Sequence, residues 1–239
     1  IELLNGGNAD DLFRFTDGAV FAENIDGGFG SDTLDYSAFT TGIAVTLTAT
    51  LDGMTGSSVG QNDTAIGLTG SFTNINILID GSGTDKLTGA DLNATFEIDG
   101  SNRYLTGGME LAFSDFENLV GGTGNDTFLI SGVRSYELAG STGDDIFRFS
   151  DGAVLNGTIE GGIGNDSLDF SAYTTARNVK LITFNEAGYN GTQSAISQGF
   201  TGIDGVTGSA VSGVNGDRLD GIEDIAGQWR FLPFRIACR

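Results

Sequence analysis

The sequence has 239 residues, 39 of them glycine, with 32 acidic side chains against 11 basic ones, a formal charge of −21, one cysteine and no histidine. That balance opposes binding to nucleic acid or anionic membranes, which requires clusters of Lys and Arg, and the lack of histidine removes the commonest general base together with His-based triads and zinc sites. Glycine without a Gly-X-Y period excludes collagen, and 39% apolar residues with 17 Phe exclude a disordered chain.

The chain opens in mid-repeat at Ile1-Glu2-Leu3-Leu4-Asn5-Gly6-Gly7 and reads as a piece of a longer protein. No secretory signal is visible, and no apolar run approaches the ~20 residues of a membrane span. The first glycine turn, Gly6 to Arg14, follows the pattern G-G-x-G-x-D-x-U-x (U a large apolar residue) with Ala9 for the third glycine. The second, Gly27-Gly28-Phe29-Gly30-Ser31-Asp32-Thr33-Leu34-Asp35, matches it fully.

Each turn leads into an alternating strand. Phe13 and Phe15 share one face, as do Leu34 and Tyr36. A strand over Ile43 to Thr48 follows, then a polar excursion, Asp52 to Gly70, and a strand over Ile75 to Ile79. A third turn, Asp80-Gly81-Ser82-Gly83-Thr84-Asp85-Lys86-Leu87-Thr88, lacks the first glycine. After a strand over Ala94 to Ile98 come full matches at Gly121 to Leu129 and Gly161 to Asp169, with Gly140 to Arg148 between them carrying Ser141 for the second glycine. A strand over Val179 to Ile182 precedes a second excursion, Asn185 to Asp217.

The turns start at 6, 27, 80, 121, 140 and 161, so the gaps are 21, 53, 41, 19 and 21. The short gaps, and the 41 taken as a doublet, imply a coil of roughly 20 residues. A longer duplication, shifted by 134 residues, repeats Phe13 to Val20 as Phe147 to Val154 and Leu34 to Thr41 as Leu168 to Thr175. The pattern returns at Ile222 to Gly227, which echoes Phe116 to Gly121. Residues 1–228 are therefore one repeat array, and 229–239, with Trp229, Pro233 and Cys238, form an atypical tail.

Stacked one coil apart, the inward residues form apolar ladders, Phe128–Phe147–Leu168 and Ile130–Phe149–Phe170. The same register places Arg14 beside Asp35 and Arg148 beside Asp169, as exposed ion pairs worth ~0–1 kcal/mol. The expected fold is all-β, a right-handed parallel β-solenoid of the β-helix or β-roll type.

Glycine lets a turn adopt positive φ, so several carbonyls can point to one spot. Calcium takes 6–8 oxygen ligands, which two stacked turns can supply and one cannot. The plainer reading is that Gly and Asp only make tight turns, with Asp capping its own backbone.

The GGxGxD segments resemble the nonapeptides of RTX, or haemolysin-type calcium-binding, proteins. The wider pattern, from Asp32-Thr33-Leu34-Asp35-Tyr36-Ser37 to Phe116-Glu117-Asn118-Leu119-Val120-Gly121-Gly122, resembles the β-strand-repeat regions of very large bacterial adhesin-like surface proteins. The resemblance implies export, an extracellular or surface location and Ca2+ held by the sixth-position Asp plus turn carbonyls. Its ligand candidates here are Asp11, Asp32, Asp126, Asp145 and Asp166, with Asp85 in a turn that has no close neighbour. One departure stands: RTX arrays run nonapeptides in tandem, and here there is about one per coil.

The expected role is structural or adhesive, with cell-surface glycans or other copies of the repeat as partners, and not enzymatic. The alternative is a carbohydrate-binding or polysaccharide-modifying β-helix of the lyase or epimerase kind. Only Lys86 and Lys180, plus scattered arginines, would serve such chemistry. The acidic pairs Asp10/Asp11, Asp144/Asp145 and Glu223/Asp224 fall in or beside turns. Tyr104, Tyr189 and Phe200 are either sugar-contacting aromatics or satellite core.

Overall fold

The computed structural model describes residues 3–50, 53–60, 67–211, 216–222 and 235–237. Among them every regular element is a β-strand. The chain divides into two units, Ile1–Glu97 with Ser101–Gly122, and Ile98–Gly100 with Thr123–Arg239.

In the first unit Leu3–Gly7 pairs in parallel with Asn24–Gly28, and Leu12–Arg14 with Thr33–Asp35, each at an offset of 21 residues as in Leu3↔Asn24 and Phe13↔Leu34. Thr33–Asp35 continues to Ile77–Ile79, and that strand to Met109–Ser114, both in parallel. In the second unit Thr127–Ile130, Ile146–Phe149, Ser167–Asp169 and Gly205–Thr207 follow one another in parallel. A second parallel series joins Glu137–Thr142, Ile159–Ile163 and Ile196–Ile203.

The apolar ladders run along these registers. Phe128, Phe147 and Leu168 are fully buried neighbours, and the Phe128 and Phe147 rings stack at 4.9 Å with 11° between planes. Phe149 lies 5.0 Å from Phe170, and Phe15 5.0 Å from Tyr36. Each such ring contributes on the order of 1.5–3 kcal/mol through burial. Its neighbour above and below supplies the burial, which one repeat alone cannot.

Three places differ from the sequence expectation. The excursion from Asp52 is a hairpin arm: Gly53–Gly60 runs antiparallel to Ile43–Thr50 and also to Ser71–Thr73. The excursion from Asn185 is built the same way, with Gly188–Gln193 antiparallel to Asn178–Asn185 and to Ile196–Ile203. Their glycines hid the strand alternation. Gly56 opposes Phe72, and Gly191 opposes Phe200 with a register irregularity beside it, and in both pairs the Phe ring fills the space over the bare glycine. Third, the 41-residue gap is not two coils. Lys86–Thr88 pairs directly with Asn118–Gly122, while Ala94–Ile98, Arg103–Thr106 and Met109–Ser114 form an antiparallel meander within the gap.

Of the tail, only Arg235–Ala237 is described, as a parallel neighbour of Gly205–Thr207. Glu223, Asp224, Trp229, Pro233 and Cys238 lie outside the described residues.

Candidate functional site

The sixth-position aspartates stand where one glycine turn meets the next. Asp32, Asp85, Asp126, Asp145 and Asp166 are all at most 1% exposed, and Asp11 is half-buried. The side chain reaches across to the preceding turn. Asp32 Oδ1 accepts the Asp11 N–H at 2.9 Å, Asp145 Oδ1 the Asp126 N–H at 2.7 Å and Asp166 Oδ1 the Asp145 N–H at 2.9 Å. Two rows thus form, Asp11–Asp32 and Asp126–Asp145–Asp166. Asp85 belongs to neither: its Oδ1 accepts the Ile43 N–H at 2.6 Å.

The rows extend through residues that the GGxGxD pattern does not flag. Asn76 Oδ1 accepts the Asp32 N–H at 2.9 Å, and Asp204 Oδ2 accepts the Asp166 N–H at 3.1 Å. Asp217 Oδ1 accepts the Arg177 N–H at 2.6 Å, the counterpart of Asp85 and Ile43. A signal for Asn76 and Asp204 exists in the chain: Phe72-Thr73-Asn74-Ile75-Asn76 returns as Phe200-Thr201-Gly202-Ile203-Asp204, but shifted by 128 residues rather than 134.

A second ladder runs in the opposite direction one residue earlier. Asp10 Oδ1 accepts the Ser31 N–H at 2.8 Å, Asn125 Oδ1 the Asp144 N–H at 2.9 Å and Asp144 Oδ1 the Asn165 N–H at 2.9 Å. Asp10 and Asp144 are therefore turn staples. The capping expectation is corrected in one respect: these carboxylates bond to the neighbouring turn, not to their own.

The second oxygen of the sixth-position carboxylate behaves differently. Oδ2 of Asp11, Asp32, Asp85, Asp145 and Asp166 is buried and has no hydrogen-bond partner. In the four of these turns that open on glycine it faces that glycine. A Cβ on Gly27 would sit 2.6 Å from Asp32 Oδ2, and one on Gly161 2.7 Å from Asp166 Oδ2. Main-chain carbonyls crowd the same spots, from Gly27 beside Gly6, Gly161 beside Gly140 and Gly202 beside Gly161. These first glycines are needed for close approach, since a Cβ there would collide with a carboxylate and a carbonyl at once.

Burial pushes the carboxyl of Asp145 up to about 6. Asp166 reaches about 7, raised first by burial and then by the charges of Asp145, Asp204 and Asp144, against the bond from the Asp145 N–H. Asp85 is raised by burial to about 6. An unsatisfied buried carboxylate oxygen costs roughly 1–3 kcal/mol or more, so each of these positions favours a proton or a cation. An oxygen-only donor set of carboxylate and carbonyl suits a hard cation of the calcium class. Among the described residues no three acidic side chains converge on one point, so carbonyls would supply much of any coordination.

Tyr104, Tyr189 and Phe200 are buried and belong to the core. The described residues contain no helix long and apolar enough to cross a membrane. No protein-family model and no curated protein matches this chain.

Proposed function

We propose that this chain is a calcium-ordered structural or adhesive segment of an exported bacterial surface protein, folded as a right-handed parallel β-solenoid with turns of the RTX type. The observation that carries the reading is the buried, partnerless Oδ2 recurring at Asp11, Asp32, Asp145 and Asp166, at the sixth position of four turns. Asp11 with Asp32, and Asp126 with Asp145 and Asp166, would hold the ions together with turn carbonyls.

The charge of −21 supports it, because self-repulsion in a compact state falls when cations neutralise the acids. Low calcium inside a cell would leave such a segment loose, and high calcium outside would complete it. Its surface offers a scaffold for other copies of the repeat or for cell-surface glycans, and it carries no catalytic constellation in this reading.

Thermal unfolding followed by circular dichroism, in EDTA and then with calcium restored, tests the proposal. A rise in melting temperature with calcium, and bound calcium by elemental analysis, is the expected result. An unchanged melt with no bound ion would overturn it.

A further inference from the structure

At four turns a Cβ added to the first glycine would collide with the Asp five residues on: Gly6 with Asp11, Gly27 with Asp32, Gly140 with Asp145 and Gly161 with Asp166. In the turn at 80 that position is Asp80, and its partner is Asp85. A second carboxyl group is thus placed where those four turns have room only for a hydrogen.

Asp80 is 1% exposed and Asp85 0%. Asp80 Oδ1 accepts the Gly81 N–H at 2.9 Å, and Asp85 Oδ1 accepts the Ile43 N–H at 2.6 Å. Oδ2 of each is buried and without a partner. The other charges acting on the pair, Asp115 and Glu117, are negative too. Glu117 is held in place, its Oε2 accepting the Asp85 N–H at 2.7 Å. Two buried, unsatisfied carboxylate oxygens need a counter-charge.

We propose that Asp80 and Asp85 together hold one hard divalent cation of the calcium class between their Oδ2 atoms. Two carboxylates balance its charge. The main-chain carbonyls of Tyr36 and Phe39, which crowd Gly81 next to Asp80, are candidates for further oxygen donors. Water completes the shell. With two acid ligands, the affinity falls in the range of extracellular calcium modules, about 10⁻⁴–10⁻³ M. This site shares with the proposed function only the premise that the chain meets calcium. It needs no stacked GGxGxD neighbour.

Asp80→Gly restores the residue found in those four turns and is expected to fold. Calcium bound per chain is counted by elemental analysis and titration calorimetry at pH 7.5 for wild type, Asp80→Gly, Asp80→Asn and Asp145→Asn. The expected result is one ion fewer in both Asp80 variants, with that ion retained in Asp145→Asn. An unchanged count in Asp80→Gly overturns the site. If wild type binds a single ion that only the Asp80 variants lose, this site stands and the stacked-turn reading fails.

Discussion

Arg148 and Asp169 stand side by side on adjacent parallel strands, Nε to Oδ2 2.7 Å, and Arg14 and Asp35 repeat the pair at 2.6 Å in the other copy of the duplication. The second pair departs from the exposed surface bridge expected of it: the Asp35 side chain is only 2% exposed. It lies beside Ile79 on its other flank, and Oδ1 accepts the Ser37 N–H at 2.8 Å.

The pair has a pH signature. Burial alone would raise the Asp169 pKa, but the hydroxyl and N–H of Ser171 and the Arg148 guanidinium outweigh it and hold it below the ordinary value. A depressed folded pKa contributes stability above about pH 4 that is lost as pH falls through the folded value. Arg148→Ala is expected to cost about 0.5–1 kcal/mol at pH 7, read as a drop of roughly 1–4 °C in melting temperature. The difference should shrink as pH falls through the folded-state pKa of Asp169 and its carboxylate is protonated. A difference that does not change on acidification would contradict the assignment.

Asp145→Asn separates the two roles of the sixth-position carboxylate. Asn keeps an oxygen for the Asp126 N–H and replaces the partnerless Oδ2 by an amide. In EDTA the variant should be as stable as wild type or about 1 kcal/mol more so, because a buried charge is gone. In calcium it should be the less stable protein. Asp145→Ala removes the acceptor as well and should be destabilised by roughly 1–3 kcal/mol in both buffers. Melts that show no change of order between EDTA and calcium would rule the crossover out.

Glycines at different positions should respond differently to alanine. Gly161→Ala places a methyl against the Gly202 carbonyl and Asp166 Oδ2. The cost is about 3 kcal/mol from overpacking, with weaker calcium binding. Gly152 has a φ of 71°, and a methyl on it would meet nothing within 4 Å. Gly152→Ala therefore costs only the left-handed conformation, about 1–2 kcal/mol. Urea titrations of the two variants give the comparison, and equal costs would refute close approach as the cause.

Gly191 and Phe200 should be energetically coupled, since a Cβ on Gly191 would sit 2.6 Å from the end of the Phe200 ring. Gly191→Ala is expected to cost less in a Phe200→Leu background than in wild type, by about 0.5–3 kcal/mol for residues in contact. Strict additivity in the double-mutant cycle would show that the ring does not cover the glycine.

Much of this was legible because the repeats are nearly regular where they are short. A 21-residue step brings Phe13 to Leu34 and Arg14 to Asp35 by counting alone. The 53- and 41-residue gaps were not legible in the same way. Antiparallel strands such as Gly53–Gly60 and Gly188–Gln193 are rich in Gly, Ser and Thr and show little alternation, so they read as polar excursions.

The sequence by itself determined the repeat step, the inward aromatic ladders and the identity of the sixth-position acids, because period and apolar alternation are local properties of the chain. Only the tertiary structure decided which way each carboxylate points. Asp145 Oδ1 is committed to the Asp126 N–H of the neighbouring turn, and its Oδ2 is left buried against Gly140. It also decided that Asp204 and Asp217 join the same hydrogen-bonding scheme, and that Asp80 and Asp85 are both buried with a partnerless Oδ2. Those outcomes depend on backbone donors and burial supplied by segments tens of residues away, which no window of sequence contains.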